Sequence, residues 1–105
     1  MITYSEAQEK TINRALHVYG RNRQILKCIE ELSELAQIIS KYLGKDMKQA
    51  IGVSEYMKFR ELIIGEMADV ENTTHQVKKM LDIDDRELQR AIDAKLERLQ
   101  KRLDK

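Results

Sequence analysis

Residues 22–43 read NRQILKCIEELSELAQIISKYL. Ile25, Ile29, Leu32, Ala36, Ile39 and Leu43 recur in steps of four and three. On a helix turning once in about 3.6 residues, that recurrence draws one apolar stripe, the seam of a helical bundle. Gly44 follows directly, at the position where helices most often stop.

The same logic extends to both sides. Towards the amino terminus, a first helix is expected from about Tyr4 to Tyr19, with Thr3 and Glu6 in capping-box spacing and Ile12, Leu16 and Tyr19 on its apolar side. Gly20 closes it. Beyond Gly44 the stretch GKDMKQAIGVS (44–54) loses the period, and it is read as a connection holding at most one turn of helix. A third helix is expected from Ser54 to Leu81, with the seam Ile63, Met67, Val70, Thr74, Val77 and Leu81. A fourth starts at Asp84, with Glu87 completing a capping box, and carries Leu88, Ile92, Leu96, Leu99 and Leu103. The expected fold is an all-α four-helix bundle, one domain over residues 1–105.

Composition agrees. Hydrophobic residues make up 42% and charged residues 35% of the 105 residues, with no Pro and four Gly. Helices accept such a mixture, whereas tight-turned β proteins draw on more Gly and Pro. A chain this short buries a modest share of its surface, so a core shared between copies would help it. Nineteen basic and 18 acidic residues leave a net charge of +1 without a basic block, which argues against a nucleic-acid partner. Cys28 is the only cysteine, so no intrachain disulfide can form, and no stretch approaches an 18-residue apolar span. The opening residues lack a basic segment followed by an apolar run. A soluble, cytoplasmic protein without membrane contact is expected.

The chemistry lies in the acidic residues. The second helix holds Glu30, Glu31 and Glu34, the third Glu66 and Asp69. Spacings of three place Glu31 with Glu34, and Glu66 with Asp69, on shared faces. Projection puts Glu31 and Glu34 on a flank of the apolar seam, Glu31 nearest the core and Glu30 further out. Glu66 falls within about 20° of the centre of the third helix's stripe. A charge there is costly unless it is paired or bound to metal. Two carboxylates from each of two facing helices make an oxygen-rich site suited to magnesium or manganese. The bland alternative is a solvated acidic face, with Glu31 and Glu34 paired to Lys27 or another base and Glu66 in a buried ion pair with Lys95 or Arg98. An inward Glu66 speaks against surface pairing.

On the fourth helix Lys95, Arg98 and Arg102 line one edge of the leucine seam. Lys95 and Arg98 are candidates for binding substrate phosphates that bridge to the metal; Arg102 reads as a basic edge covering apolar surface. His75 is read as a surface residue near Glu71, and His17 near a helix end is uninformative. Cys28 is read as a small core residue. No phosphate-cradling glycine loop is present, because the glycines stand alone at 20, 44, 52 and 65.

Glu30-Glu31-x-x-Glu34, followed one helix later by Glu66-x-x-Asp69-Val70, resembles the signature of the MazG-like nucleotide pyrophosphohydrolases. The likeness runs from about Tyr19 to Arg98, and GRNRQILKCIEELSELAQ is especially similar to short, single-domain, phage-type members. It implies a magnesium-dependent enzyme hydrolysing a nucleoside triphosphate to the monophosphate and pyrophosphate, assembled as a homodimer or homotetramer. It further implies Glu31, Glu34, Glu66 and Asp69 as metal ligands, Glu34 or Glu30 as the group that activates water, and Lys95 and Arg98 as phosphate contacts. The chain departs from the pattern in a longer stretch between Glu34 and Glu66, and in few aromatics to sandwich a base. Di-iron carboxylate bundles are disfavoured, since the i+3 partners are Glu34 and Asp69 and never His. The remaining alternative is a non-enzymatic helical interaction or regulatory module.

Overall fold

A computed structural model describes the backbone of residues 2–42 and 47–105, and the side chains of all of these except 47–51. Among the described residues there are four helices and no strand: α1 (Glu6–Tyr19), α2 (Arg21–Tyr42), α3 (Met47–Met80) and α4 (Asp85–Leu103). The all-α expectation holds.

Local chemistry accounts for the boundaries. α1 begins on Ser5, whose hydroxyl accepts from the Gln8 amide while the Gln8 side chain accepts from the Ser5 amide. This capping box replaces the expected pair Thr3 and Glu6, two residues upstream. A single residue, Gly20 at φ 86°, separates α1 from α2, and its left-handed backbone turns the chain at once. Gly52, at φ 83°, interrupts α3, so the expected connection contains a short helical piece before the long run that includes Ser54. Leu43, expected to end the second helix's seam, and residues 44–46 of that connection lie outside the described residues. α3 ends with Asp82 at φ 51°: the Ile83 amide donates to the Lys78 carbonyl and the Asp82 amide to that of Lys79. This is a Schellman closure with aspartate in the position usually held by glycine. α4 starts as expected, on an Asp84–Glu87 capping box.

α2 and α3 form the body of the protein. Gln24 Nε2 donates to Gln76 Oε1 at 2.7 Å near one end, and the Tyr42 and Phe59 rings meet at 4.7 Å near the other. These pairs fix an antiparallel register that sets Glu31 and Glu34 of α2 opposite Glu66 of α3. α1 packs lightly on both helices, with Ile12 buried. Among the described residues α4 packs on none of the other three, apart from an ion pair at its first residue between Asp85 and Lys78 of α3.

The faces differ from the expected seams. On α2 the sheltered line is Gln24, Cys28, Glu31, Leu35, Ile38 and Tyr42. Ile29, Leu32 and Ile39, expected in the seam, are exposed. The packed face is therefore turned by one residue, about 100°. On α3 Phe59, Thr73 and Gln76 are buried and Ile63, Val70, Thr74 and Val77 partly so, whereas Met67, and Leu81 just beyond the helix, are exposed. The whole α4 seam stands in solvent, Leu96 at 58% and Leu103 at 70% exposure. The Cα radius of gyration is 17.2 Å, against about 13 Å for a compact domain of this length. The accessible surface is 8629 Å², against about 6,100 Å² for a compact monomer of this mass.

Candidate metal centre

Glu31 comes from the middle of α2, one turn beyond Cys28, and is carried inward because that line of α2 faces α3. Its exposure is 4%. Glu34 lies one turn further and is half-buried, as is Glu66 across the interface. Glu31, Glu34 and Glu66 each offer a carboxylate oxygen within 4.8 Å of the others. Two buried oxygens, Glu31 Oε2 and Glu66 Oε2, have no hydrogen-bond partner.

The electrostatics follow from this crowding. The Lys27 ammonium lies 2.9 Å from Glu31 Oε1 and 3.8 Å from Glu30 Oε2. Among the described residues it is the one basic group in ion-pair contact with the three clustered carboxylates. The Glu34 carboxyl is pushed above its ordinary value, first by the negative charge of Glu31, then by desolvation and by the charge of Glu66. The Lys27 ammonium is held above its usual range, chiefly by its hydrogen bond to Glu31 and then by the charges of Glu30, Glu31 and Glu34. Clustered carboxylates with orphaned buried oxygens and a single lysine fit a hard divalent cation, whose charge and oxygen preference answer both deficits.

Glu31, Glu34 and Glu66 are thus brought together as the helical projection anticipated, with Glu31 the most buried. Asp69 is exposed and stands outside the three-residue group, its backbone carbonyl accepting from the Thr73 hydroxyl at 2.9 Å. The Glu30 side chain is more than half exposed, at the rim beside Lys27. Lys95 and Arg98 are exposed on α4, the helix that packs on none of the others, and neither makes an ion pair with a carboxylate of α2 or α3 among the described residues. Within one chain they do not join the cluster. The pairing of Glu31 with Lys27 is present, as the bland reading allowed, but it leaves Glu66 without a base.

His75 corrects the surface reading. It is 17% exposed, its Nε2 lies 2.6 Å from Glu9 Oε1, and its ring stacks on Tyr4 at 4.3 Å. Lys79 also pairs with Glu9, and Lys78 with Asp85. These contacts tie α1 and the start of α4 to the end of α3, and they were not legible because Glu9 and His75 lie 66 residues apart. The role of Arg23 also escaped the sequence: its guanidinium sits 4.8 Å from the Tyr19 ring centroid, beside a cavity that Lys27 and Glu30 share. No helix among the described residues is long and apolar enough to cross a membrane. Comparison with protein-family models, with curated proteins and with solved structures returns no match.

Proposed function

We propose that this protein is a MazG-like, magnesium-dependent nucleoside triphosphate pyrophosphohydrolase, cleaving ribo- or deoxyribonucleoside triphosphates to the monophosphate and pyrophosphate, with manganese as an alternative ion. The observation that carries the reading is Glu66. Its buried Oε2 has no protein partner and faces a cluster that already holds Glu31 and Glu34. Such an arrangement is costly unless a cation completes it.

Glu31, Glu34 and Glu66 would hold the ion, with Asp69 joining them only if its side chain turned inward. Bound there, the ion supplies neutralisation of phosphate charge and a lowered pKa for water. Glu34 is the first candidate to take a proton from an attacking water, and Glu30 at the rim is the second. Attack at the α-phosphate releases pyrophosphate. The unusual accessible surface and the apolar stripe of α4 favour a homodimer or homotetramer, in which another copy covers that stripe.

The test is to incubate the protein with a panel of ribo- and deoxyribonucleoside triphosphates and magnesium, measuring pyrophosphate and phosphate separately, with Glu66→Gln as control. Metal-dependent release of pyrophosphate and monophosphate, lost in the control, is the expected result. The exposed α4 stripe also suits a second reading, a non-enzymatic helical interaction module. That reading predicts no turnover across the panel and no thermal shift with magnesium.

A further inference from the structure

The basic residues expected to meet substrate phosphates, Lys95 and Arg98, lie on a helix that packs on none of the others. The basic residue in contact with the carboxylates, Lys27, belongs to α2, and Arg23 shares its cavity. Arg23 and Lys27 are one turn apart on one face. With Tyr19, Gln24, Leu26 and Glu30 they line a cavity of about 480 Å³. The Arg23 guanidinium is steadied over the Tyr19 ring, a contact favourable to a planar cation.

Lys27 occupies a position of conflict. Its ammonium contacts Glu31 Oε1 at 2.9 Å, while Glu31 itself is among the most buried residues and its Oε2 is unpartnered. An ammonium and a divalent ion compete for one carboxylate, because each is repelled by the other and each draws on the same negative charge. The two are unequal in freedom. The Glu31 side chain is 6% exposed and held by its helix, whereas that of Lys27 is 50% exposed on a flexible four-carbon stem. When a cation arrives, Lys27 is the group able to leave, and the cavity beside it is where it can go.

We propose that Lys27 is the exchangeable counter-ion of the carboxylate cluster: a divalent cation displaces its ammonium from Glu31, and Lys27 then joins Arg23 in binding the polyphosphate of the substrate. The inference rests on the metal reading above and deepens it, moving phosphate recognition from α4 to α2. It also supplies an order of events, since the phosphate site is completed only after the cation is bound. Metal-free protein would then hold triphosphate poorly.

The experiment uses the full chain with Mn²⁺ alone and with inorganic tripolyphosphate as probes. Wild type, Lys27→Met, Arg23→Met and Glu66→Gln are compared by calorimetry, with melting in chelator to establish that each variant folds; Lys27→Gln stands in if Lys27→Met does not. Removing the competing ammonium should tighten Mn²⁺ binding about tenfold in Lys27→Met. Arg23→Met removes an equal charge one turn away and should change Mn²⁺ affinity by no more than about twofold, since that charge is exposed and screened. With Mn²⁺ saturating, both variants should bind tripolyphosphate about tenfold more weakly than wild type. Mn²⁺ affinity unchanged or weakened in Lys27→Met, or tripolyphosphate affinity unchanged, overturns the role of Lys27. If wild type binds Mn²⁺ and Glu66→Gln does not, that failure leaves the metal site standing. If wild type binds no Mn²⁺ at all, the metal reading falls and this inference with it.

Discussion

The α2–α3 interface and the α4 helix invert the usual distribution of polarity. Between α2 and α3, among the described residues, the protein buries Gln24, Glu31, Thr73 and Gln76, alongside only Cys28 and Phe59 as apolar residues. Along α4 it leaves Leu88, Ile92, Leu96, Leu99 and Leu103 in solvent. Hydrophobic burial drives folding, yet most of the buried residues of the helix pair that packs are polar, and the apolar stripe of α4 meets no other helix among the described residues. Gln24 pairs with Gln76 across the polar interface, while Thr73 bonds to backbone carbonyls of α3 and Glu31 to Lys27 of α2. Against these satisfied groups stand two buried oxygens that are not, Glu31 Oε2 and Glu66 Oε2. The described residues thus combine a polar half, the α2–α3 interface with its carboxylate cluster, and an apolar half, the exposed stripe of α4.

The largest effect should come from attacking the apolar half. Leu96→Asp with Leu99→Asp would cost about 3–5 kcal/mol if a second copy covers the stripe, because each charge would be buried unpaired. Light scattering would report the mass falling to that of a 12.3 kDa monomer. A stripe that stays in solvent would give changes within about 0.5 kcal/mol and leave the mass unaltered.

Next comes the polar half. Magnesium at a hundred times its dissociation constant should stabilise the wild type by about 2.7 kcal/mol, read as a rise in Tm. Glu66→Gln should abolish that rise without weakening the metal-free protein, since it removes a charge rather than a contact. A metal response that survives the substitution would shift the site away from this cluster.

Gln24→Ala sharpens the comparison further. It leaves the Gln76 amide oxygen buried without a donor, at a cost of about 1–2 kcal/mol in urea unfolding. A neutral result would mean that the interface does not depend on specific polar pairing.

The smallest effect concerns the periphery. Hydrogen bonds from Lys79 and then His75 hold the Glu9 carboxyl below its ordinary value. A carboxylate depressed in the folded state binds fewer protons there than when unfolded. Its stabilisation is present above the unfolded value of 4.5 and fades as pH falls through the lower folded value. Denaturant midpoints measured from pH 6 downward should thus fall more steeply in wild type than in Glu9→Gln. Parallel curves would exclude this network as a contributor to stability.

The sequence by itself determined that the chain is helical, where α4 begins, and that Glu66 stands out of place on an apolar stripe. Each of these rests on relations within a few turns: a capping box joins residues three apart, and a charge in a seam is visible from its neighbours. It located the start of α1 two residues early, because Thr3 and Ser5 are both capable caps and only the Gln8 side chain selects Ser5. Tertiary structure decided which face of each helix meets which partner. α2 is apolar on two adjacent faces, and periodicity selects the richer one, Ile29, Leu32 and Ile39. Packing against α3 takes the other, where Cys28 and Glu31 lie. The period of a helix orders side chains around its own axis and carries no information on the direction of its neighbour. For that reason the grouping of Glu31, Glu34 and Glu66, the isolation of Lys95 and Arg98 on α4, and the seat of Lys27 beside Glu31 were settled only when α2 and α3 came together.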